Sequence, residues 1–410
     1  MTDTRQLLDD DNPVAPQWLA EERARARARL RRYEVVGLVA ALAIIFSLDE
    51  VGLGHLHLLP VVLFYALLIG GVALSKRARG ALERKYDAKL STALFGDTDI
   101  EQLLDDDLRA ALQGIEQERL KARTLRRQIL MVGSAIGLSL VALTHVKVEA
   151  PDATVVAAAM VLGLGWGVYM LVEQRLAKSV ERSLRENVGP LLTQRIDERL
   201  ALTPHAGILR SEFQASGLYG KTPDRYRTED LVAGVLGQTA VRFADVHAER
   251  KIDDKYKDLF CGVLFVADFH KHFAGSVLVK PDLSEGKLGG LGRAVQRGSV
   301  GGKQRVELED SEFENLFAVY ADDETEARYL LTPDMMRRFV ELTGTLGSFR
   351  ASFHDNQLYI ALPRSRGLFE IDMSRSLLDL EAVRAAATDI HIFRGLIEAL
   401  ELNTRIWTKE

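Results

Sequence analysis

Two histidines separated by one residue are the first candidates for chemistry. His270 and His272 follow an apolar stretch that includes Asp268. If that stretch is a strand that continues through them, both imidazole rings lie on the same face of it. Zinc requires three or four ligands and a supporting shell of hydrogen bonds, so Asp268 and His354 would have to join the two rings through the fold. His270 and His272 are therefore weak metal-ligand candidates, and a polar strand end is the simpler interpretation.

Other patterns associated with catalysis or cofactor binding are incomplete. The segment 298–303 looks like a phosphate-binding loop, but an arginine takes the place of its first glycine and Gln304 the place of Ser or Thr. It lies in a stretch rich in glycine and basic residues, 283–304, which is predicted to be a mobile surface loop. Cys261 lies among apolar residues, which is typical of a core residue rather than a nucleophile. The acidic residues between 307 and 326 are explained as helix caps. The sequence therefore predicts neither a catalytic residue nor a cofactor.

The composition limits the class of protein. The 410 residues carry a formal net charge of −5, so no overall basic character indicates a nucleic-acid partner. A single cysteine excludes an intrachain disulfide and fits a reducing compartment. Hydrophobic residues make up 47% of the chain. They are unevenly distributed, because four blocks before residue 173 are almost entirely apolar.

These four blocks contain no Asp, Glu, Lys, Arg or His; they are 35–48, 58–74, 129–143 and 153–172. A bilayer is spanned by about 20 apolar residues, with a range of about 17–25. The fourth block meets this length and the second meets its lower limit. The first and third reach it only when flanking residues are included. The pattern predicts four transmembrane helices in two hairpins.

Lysines and arginines predict how these helices are oriented. They lie just before and just after each predicted hairpin in the sequence. The two hairpin loops, 49–57 and 144–152, contain only Lys147 as a lysine or arginine. The positive-inside rule therefore places the N-terminus, the 75–128 segment and the whole C-terminal part in the cytoplasm. The expected location is a multi-pass position in a membrane, with both termini cytoplasmic.

The membrane half is also duplicated. Gln-Leu-Leu-Asp-Asp-Asp occurs at 6–11 and again at 102–107, and Leu-Arg-Arg occurs at 30–32 and again at 125–127. After the fourth block, an apolar stripe predicts an amphipathic stalk helix that is interrupted by Gly-Pro and then resumes to Leu200. The predicted domains are a first membrane-hairpin repeat at 1–100, a second repeat with the stalk at 101–205, and a cytoplasmic domain at 206–410.

The C-terminal part mixes strand and helix patterns. Stretches rich in apolar and β-branched residues predict strands at 239–246, 260–269, 276–279, 305–308, 317–320, 349–353 and 358–362. Residues 354–357 join the last two as a hairpin. Thr332 and Pro333 provide an N-cap and a first-turn proline for a helix at 334–342, and a longer amphipathic helix is predicted at about 378–400. The combination predicts an α+β domain with an antiparallel sheet.

Three segments of this part resemble a known family. Residues 260–269 match the pattern F-x-G-x-x-F-x-A-D-F. Together with 307–320 and 326–336, they resemble the bacterial family known as domain of unknown function 3137, over about 208–372. The resemblance implies a bacterial inner-membrane protein and carries no activity with it. It also suggests a LemA-like membrane protein as a partner, because relatives are often encoded beside such proteins.

Three functional hypotheses follow. The leading one is a non-enzymatic, membrane-anchored binding or scaffold module that contacts the lipid bilayer and an unknown protein partner, with a homo-oligomer as an alternative assembly. The second is an enzyme with an unrecognised, metal-dependent site around Asp268, His270, His272 and His354. The third is a membrane transport component. Transporters usually carry ionisable groups at membrane depth, however, and the four blocks carry none.

Overall fold

The computed structural model describes most of the chain after residue 104. The described residues are 105–144, 172, 175, 178–269, 271–282, 302–364, 367–369, 376–378, 380–400 and 402. They belong to two compact units. One contains 105–111 and the described residues from 184 onward, and the other contains 112–144 and the described residues of 172–183. The predicted mobile loop at 283–304 lies almost entirely outside the described residues.

Helix α1 (Asp106–Thr144) begins with a capped and negatively charged first turn. The Asp105 carboxylate accepts a hydrogen bond from the Leu108 backbone N–H at 2.9 Å, and Asp106 and Asp107 follow it. Negative charges at this end of a helix interact favourably with the helix dipole. The charged character continues along the helix, where Arg119 Nε donates to the Glu116 carboxylate at 2.7 Å.

No helix among the residues that the structure describes is long and apolar enough to cross a membrane. The prediction of four transmembrane helices, and with it the multi-pass inner-membrane location, is therefore corrected. Only one of the four apolar blocks, 129–143, lies in a described helix. From residue 129 to the end of α1 at Thr144 there are 16 residues, a length of about 24 Å, whereas the hydrocarbon core is about 30 Å thick. The prediction had reached span length by adding flanking residues up to 146.

The remaining membrane predictions lie outside the described residues. Blocks 35–48 and 58–74 are wholly outside, and of 153–172 only the last residue is described. The first copies of the two repeated motifs are outside as well. The predicted duplication and the predicted domain boundaries at 100 and 205 stay predictions.

The larger unit is built on a nine-stranded sheet in which every neighbouring pair is antiparallel. The strand order is β1-β2-β3-β4-β9-β8-β5-β7-β6. The strands are β1 (Leu200–Thr203), β2 (Arg225–Leu236), β3 (Thr239–Ile252), β4 (Lys255–Asp268), β5 (Val277–Pro281), β6 (Gln304–Val306), β7 (Phe317–Ala321), β8 (Arg350–His354) and β9 (Gln357–Pro363).

Seven of these strands confirm the predicted stretches, with shifted ends. The largest differences are in β3 and β4, which extend into a polar hairpin whose turn is Asp253–Asp254, with φ of 48° and 62°. The predicted hairpin at 354–357 is also confirmed, and its turn residues Asp355 and Asn356 have φ of 49° and 56°. Two consecutive left-handed residues form the turn that best matches the twist of paired strands, and Asp and Asn tolerate that conformation.

Strands β1 and β2 were not among the predicted stretches. The predicted stalk helix ends at Ile196 rather than at Leu200, because the chain turns at Asp197 and then pairs with β2. The Gly-Pro pair at 189–190 does not interrupt the helix. A π-helical turn (Leu184–Val188) leads directly into α2 (Gly189–Ile196), where the proline occupies the first turn and needs no N–H donor.

Helices cover one face of the sheet. They are α2, α4 (Ser311–Leu316), α5 (Glu324–Leu330), α6 (Pro333–Leu346) and α7 (Leu380–Ala399). The two helices predicted from the sequence are α6 and α7, and Thr332 caps α6 as expected by accepting from the Met335 N–H at 3.3 Å. Asp310 and Asp323 cap α4 and α5, which confirms that these acidic residues serve as helix caps.

The opposite face is covered by residues 208–226, which include the short helix α3 (Arg210–Ala215). Phe213 lies at the centre of this layer, with its ring 5.4 Å from Tyr226 and 6.1 Å from Phe260 of β4. Leu218 of the same segment is completely buried against the sheet. The central strands are therefore covered on both faces, which explains their nearly continuous apolar sequences.

Phe393 of α7 is the main contact between that helix and the sheet. Its ring stacks on Phe243 of β3 at 4.1 Å and lies 5.9 Å from Phe265 of β4. We expect Phe393→Ala to lower the free energy of unfolding by about 3–5 kcal/mol, because it leaves a cavity against both strands. Leu378→Ala is the control, since Leu378 is 47% exposed, and it should change the value by less than about 0.5 kcal/mol. Urea denaturation of the full chain measures both, and equal effects would contradict this packing.

Candidate functional site

Among the residues that the structure describes, the candidates Asp268, His272 and His354 do not form a metal-ligand group. Strand β4 ends at Asp268, so the strand does not continue through the two histidines as that prediction required. His272 is exposed, and His270 lies outside the described residues. The His354 ring lies 3.3 Å from the carboxylate of its neighbour Asp355. The candidates His270 and His272 therefore stay weak predictions without structural support.

Asp268 and His354 are separated by a strand. The register pairs Asp268 with Gln357 of β9 and pairs Gln357 with His354 of β8. All three side chains therefore lie in one row on the same face, with the glutamine in the middle. Adjacent strands are about 4.8 Å apart, so the backbones of Asp268 and His354 are about 10 Å from each other. A metal ion at this position would therefore need further ligands from other residues.

A group of basic residues on the same face of the sheet is the stronger candidate. The register pairs Leu278 of β5 with both Ser352 of β8 and Tyr320 of β7, and it pairs Tyr320 with Arg305 of β6. Paired residues share a face, so these four side chains lie in one row. Side chains alternate between the two faces along a strand. Lys280 and Arg350, two residues from Leu278 and Ser352, therefore lie on this same face in the adjacent row. We call Lys280, Arg305, Arg350 and Ser352 the basic face.

Lys280 is the central cation of the basic face. Its ammonium nitrogen lies 4.4 Å from the centre of the Tyr320 ring, and among the described residues it makes no hydrogen bond or ion pair. Partial burial lowers its pKa, and the neighbouring Arg350 and Arg305 lower it further, whereas Asp282 acts in the opposite direction. The lysine is therefore a half-buried cation next to two others.

Arg350 is held by the segment that covers this face. Its Nη1 donates to the Leu218 carbonyl at 3.1 Å, and its guanidinium carbon lies 4.5 Å from the centre of the Tyr219 ring. Stacking on an aromatic ring fixes the plane of a guanidinium group. Burial raises the pKa of Tyr219, so its ring remains neutral beneath the cation. Arg350 thus has a fixed position and no carboxylate partner among the residues that the structure describes.

Two buried donors of the basic face have no hydrogen-bond partner among the described residues. They are Nε of Arg305 and Oγ of Ser352. Ser352 is only 1% exposed. Arg305 has one ion pair, a long contact of 3.5 Å from Nη2 to the Asp282 carboxylate. A buried hydroxyl or N–H group left unpaired costs about 1–3 kcal/mol, so both atoms are unusual for groups with a purely structural role.

The basic face has the chemistry of an anion site. Three cations converge on it, and Asp282 is the single carboxylate that pairs with any of them within the described residues. Guanidinium, ammonium and hydroxyl groups together are the donors that phosphate and carboxylate oxygens prefer. These groups can bind and orient an anion. Their contribution to any reaction would be electrostatic.

The basic face was not predicted from the sequence, because its members are far apart in the chain. Lys280, Arg305 and Arg350 stand on three strands whose pairing cannot be derived from one sequence. A weak signal exists in the single charged residue of β5, which is otherwise apolar up to its terminal proline. Lysine is rarely placed among buried strand residues without a reason.

A separate polar cluster lies on the helix-covered face. The side chains of Asp230 and Asp389 are completely buried, and each contacts an arginine: Arg185 Nη1 is 3.3 Å from Asp230, and Arg364 Nη2 is 2.6 Å from Asp389. Asp230 has φ of 58° at an irregularity in β2, which turns its side chain inward. Asp245 of β3 lies close enough to interact with both aspartates. The cluster ties α7 and the π-helical turn to the sheet.

The fold and the basic face together define the class of protein: an α+β domain on a single antiparallel sheet, with a basic face of the kind that binds anions. Residues 258–402 match the model of the family described as "Protein of unknown function (DUF3137)". This match over 258–402 confirms the resemblance seen in the sequence. The match begins later and ends later than the expected 208–372. No curated protein and no solved structure matches the chain.

The buried aspartate cluster gives a prediction about pH. Burial raises the pKa of Asp245 well above its usual range, Asp230 and Asp389 raise it further, and the hydrogen bond from the Leu368 N–H and the charge of Arg364 oppose the change. The raised pKa means that the folded state binds this proton more tightly than the unfolded state. Its contribution to stability is therefore complete below the unfolded pKa, near 4, and is lost as the pH rises toward the folded pKa.

Asp245→Asn should remove this part of the pH dependence, because the amide stays neutral at every pH. We expect the free energy of unfolding of the variant to fall less than that of the wild type between pH 4 and pH 7. Asp254→Asn in the exposed β3–β4 turn is the matched control and should leave the profile unchanged. Chemical denaturation across this pH range measures the difference. Parallel profiles for wild type and Asp245→Asn would refute the assignment.

Proposed function

We propose that this chain is a binding module whose basic face holds a phosphate-type oxyanion carried by a larger ligand. The proposal keeps the binding role of the leading, non-enzymatic hypothesis from the sequence and drops its membrane anchor. The observation that carries it is the half-buried Lys280, which lies near two arginines and makes no hydrogen bond or ion pair among the described residues.

The charge of the face supports an anionic ligand. A cation that is partly removed from water and placed near two other cations is destabilised by two effects, desolvation and electrostatic repulsion. Cation–π contacts with Tyr320 and Tyr219 recover part of this loss. A bound anion would reverse the sign of the repulsion, since each cation would then have an opposite charge nearby.

The unpaired donors support an oxyanion in particular. Ser352 Oγ and Arg305 Nε are buried polar atoms that still have hydrogen bonds to give. Ser352 and Arg305 stand three strand spacings apart, so a ligand with two linked oxyanion groups could accept from both atoms and from Lys280. Hydrogen bonds to charged groups contribute about 1.5–3 kcal/mol each, which is enough for selective binding when three act together.

Calorimetric titration with inorganic pyrophosphate tests this proposal. We expect the full-length chain to bind it with an affinity that falls as salt concentration rises. Lys280→Met should weaken binding by about 10-fold or more, because it removes one charge-assisted hydrogen bond. Methionine is one atom shorter than lysine, but it keeps an unbranched apolar side chain and removes the charge.

Lys271→Met is the matched control. Lys271 is also a partly buried lysine over a tyrosine ring, 4.6 Å from the centre of Tyr329, and burial likewise lowers its pKa. It does not belong to the basic face, so the variant should bind pyrophosphate like the wild type. The proposal fails if the wild type does not bind at millimolar pyrophosphate, or if both lysine variants lose affinity equally.

A further inference from the structure

Three potential metal ligands meet on the long β3–β4 hairpin. They are His247 and Glu249 of β3 and Asp258 of β4, and one ligand atom of each lies within 4.8 Å of the others. His247 Nε2 is 2.7 Å from an oxygen of Asp258. The three side chains project from the face opposite the basic face, because Val246, next to His247, points into the layer that covers the basic side.

A bulge in the hairpin creates this arrangement. Ala248 pairs with Phe260, but the next residue, Glu249, pairs with Asp258, so that Leu259 is an extra residue in β4. Without the extra residue, Asp258 would stand opposite Arg250 and would point to the other face of the sheet. The bulge moves Asp258 onto the face of His247 and Glu249. Bulges often occur beside functional sites, where they redirect a side chain in this way.

Glu249 is the member that a purely structural role does not explain. A hydrogen bond between His247 and Asp258 satisfies those two groups across the strands. Oε2 of Glu249, however, is buried and has no hydrogen-bond partner among the described residues. The nearest cation is Arg227 Nη2 at 3.6 Å, beyond hydrogen-bond distance, on a side chain that is 71% exposed. A buried carboxylate oxygen without a donor requires a cation or a further ligand.

We propose that His247, Glu249 and Asp258 bind one divalent transition-metal ion. One imidazole and two carboxylates form a mixed nitrogen and oxygen set, which suits zinc, manganese or ferrous iron better than calcium or magnesium. The side chains of His247, Glu249 and Asp258 are 28%, 15% and 20% exposed. The set is thus shielded on the protein side and open to solvent, which leaves room for water or a ligand on the metal. The metal would replace the His247–Asp258 hydrogen bond.

Titration of the chelator-treated full-length chain with Co²⁺ and Mn²⁺ tests this site. We expect one ion per chain, with visible Co²⁺ bands typical of a coordination number below six and a higher melting temperature in the presence of the metal. His247→Ala, Glu249→Gln and Asp258→Asn should each weaken binding by 10-fold or more. Glu249→Gln is nearly isosteric, so its circular dichroism spectrum and urea midpoint should match those of the wild type.

Two other histidine variants separate this site from its alternatives. His354→Ala removes a half-exposed histidine on β8, and His272→Ala removes one of the candidates from the sequence. Both should bind metal like the wild type. The site is refuted if no stoichiometric binding occurs, if Glu249→Gln binds like the wild type, or if binding disappears in His272→Ala.

Discussion

The hydrogen-bonded register of the antiparallel sheet is the constraint on which the rest of the structure depends. Each pairing fixes which residues of neighbouring strands share a face, and a shift by one residue would move every side chain to the other side. Because helices cover one face and residues 208–226 the other, most strand positions are buried whichever way they point. The polar residues that remain inside are therefore the informative ones.

The clearest elements could be predicted from local sequence. The hairpin at 354–357 has the turn residues that its backbone demands, and Thr332 with Pro333 marks the start of α6. Strand β2 could not be predicted in this way, because its first half, Arg-Tyr-Arg-Thr-Glu-Asp, is mostly polar. It forms a strand because β3 lies beside it. Pairing supplies hydrogen bonds that its own side chains do not encode.

The two histidine site candidates seen in the sequence are close to one another along the chain. His270 and His272 attracted attention because they are neighbours in sequence, yet β4 ends at Asp268 and does not carry them in register. The basic face and the His247 set each join residues from different strands. Register and one bulge bring them together, and neither can be derived from one sequence. The transmembrane prediction is contradicted within the described residues, where the block at 129–143 reached span length only by counting residues beyond Thr144, the end of α1.

The central claim is that the charge of Lys280 is kept for an anion and is not needed for folding. Its most direct test is the free energy of unfolding of wild type and Lys280→Met, each with and without saturating pyrophosphate. Without the anion, Lys280→Met should be at least as stable as the wild type, because it relieves the repulsion from Arg350 and Arg305. With pyrophosphate at 100 times its dissociation constant, the wild type should gain about 2.7 kcal/mol and the variant clearly less. Equal gains in both proteins, or a variant that is equally destabilised in both conditions, would contradict the account.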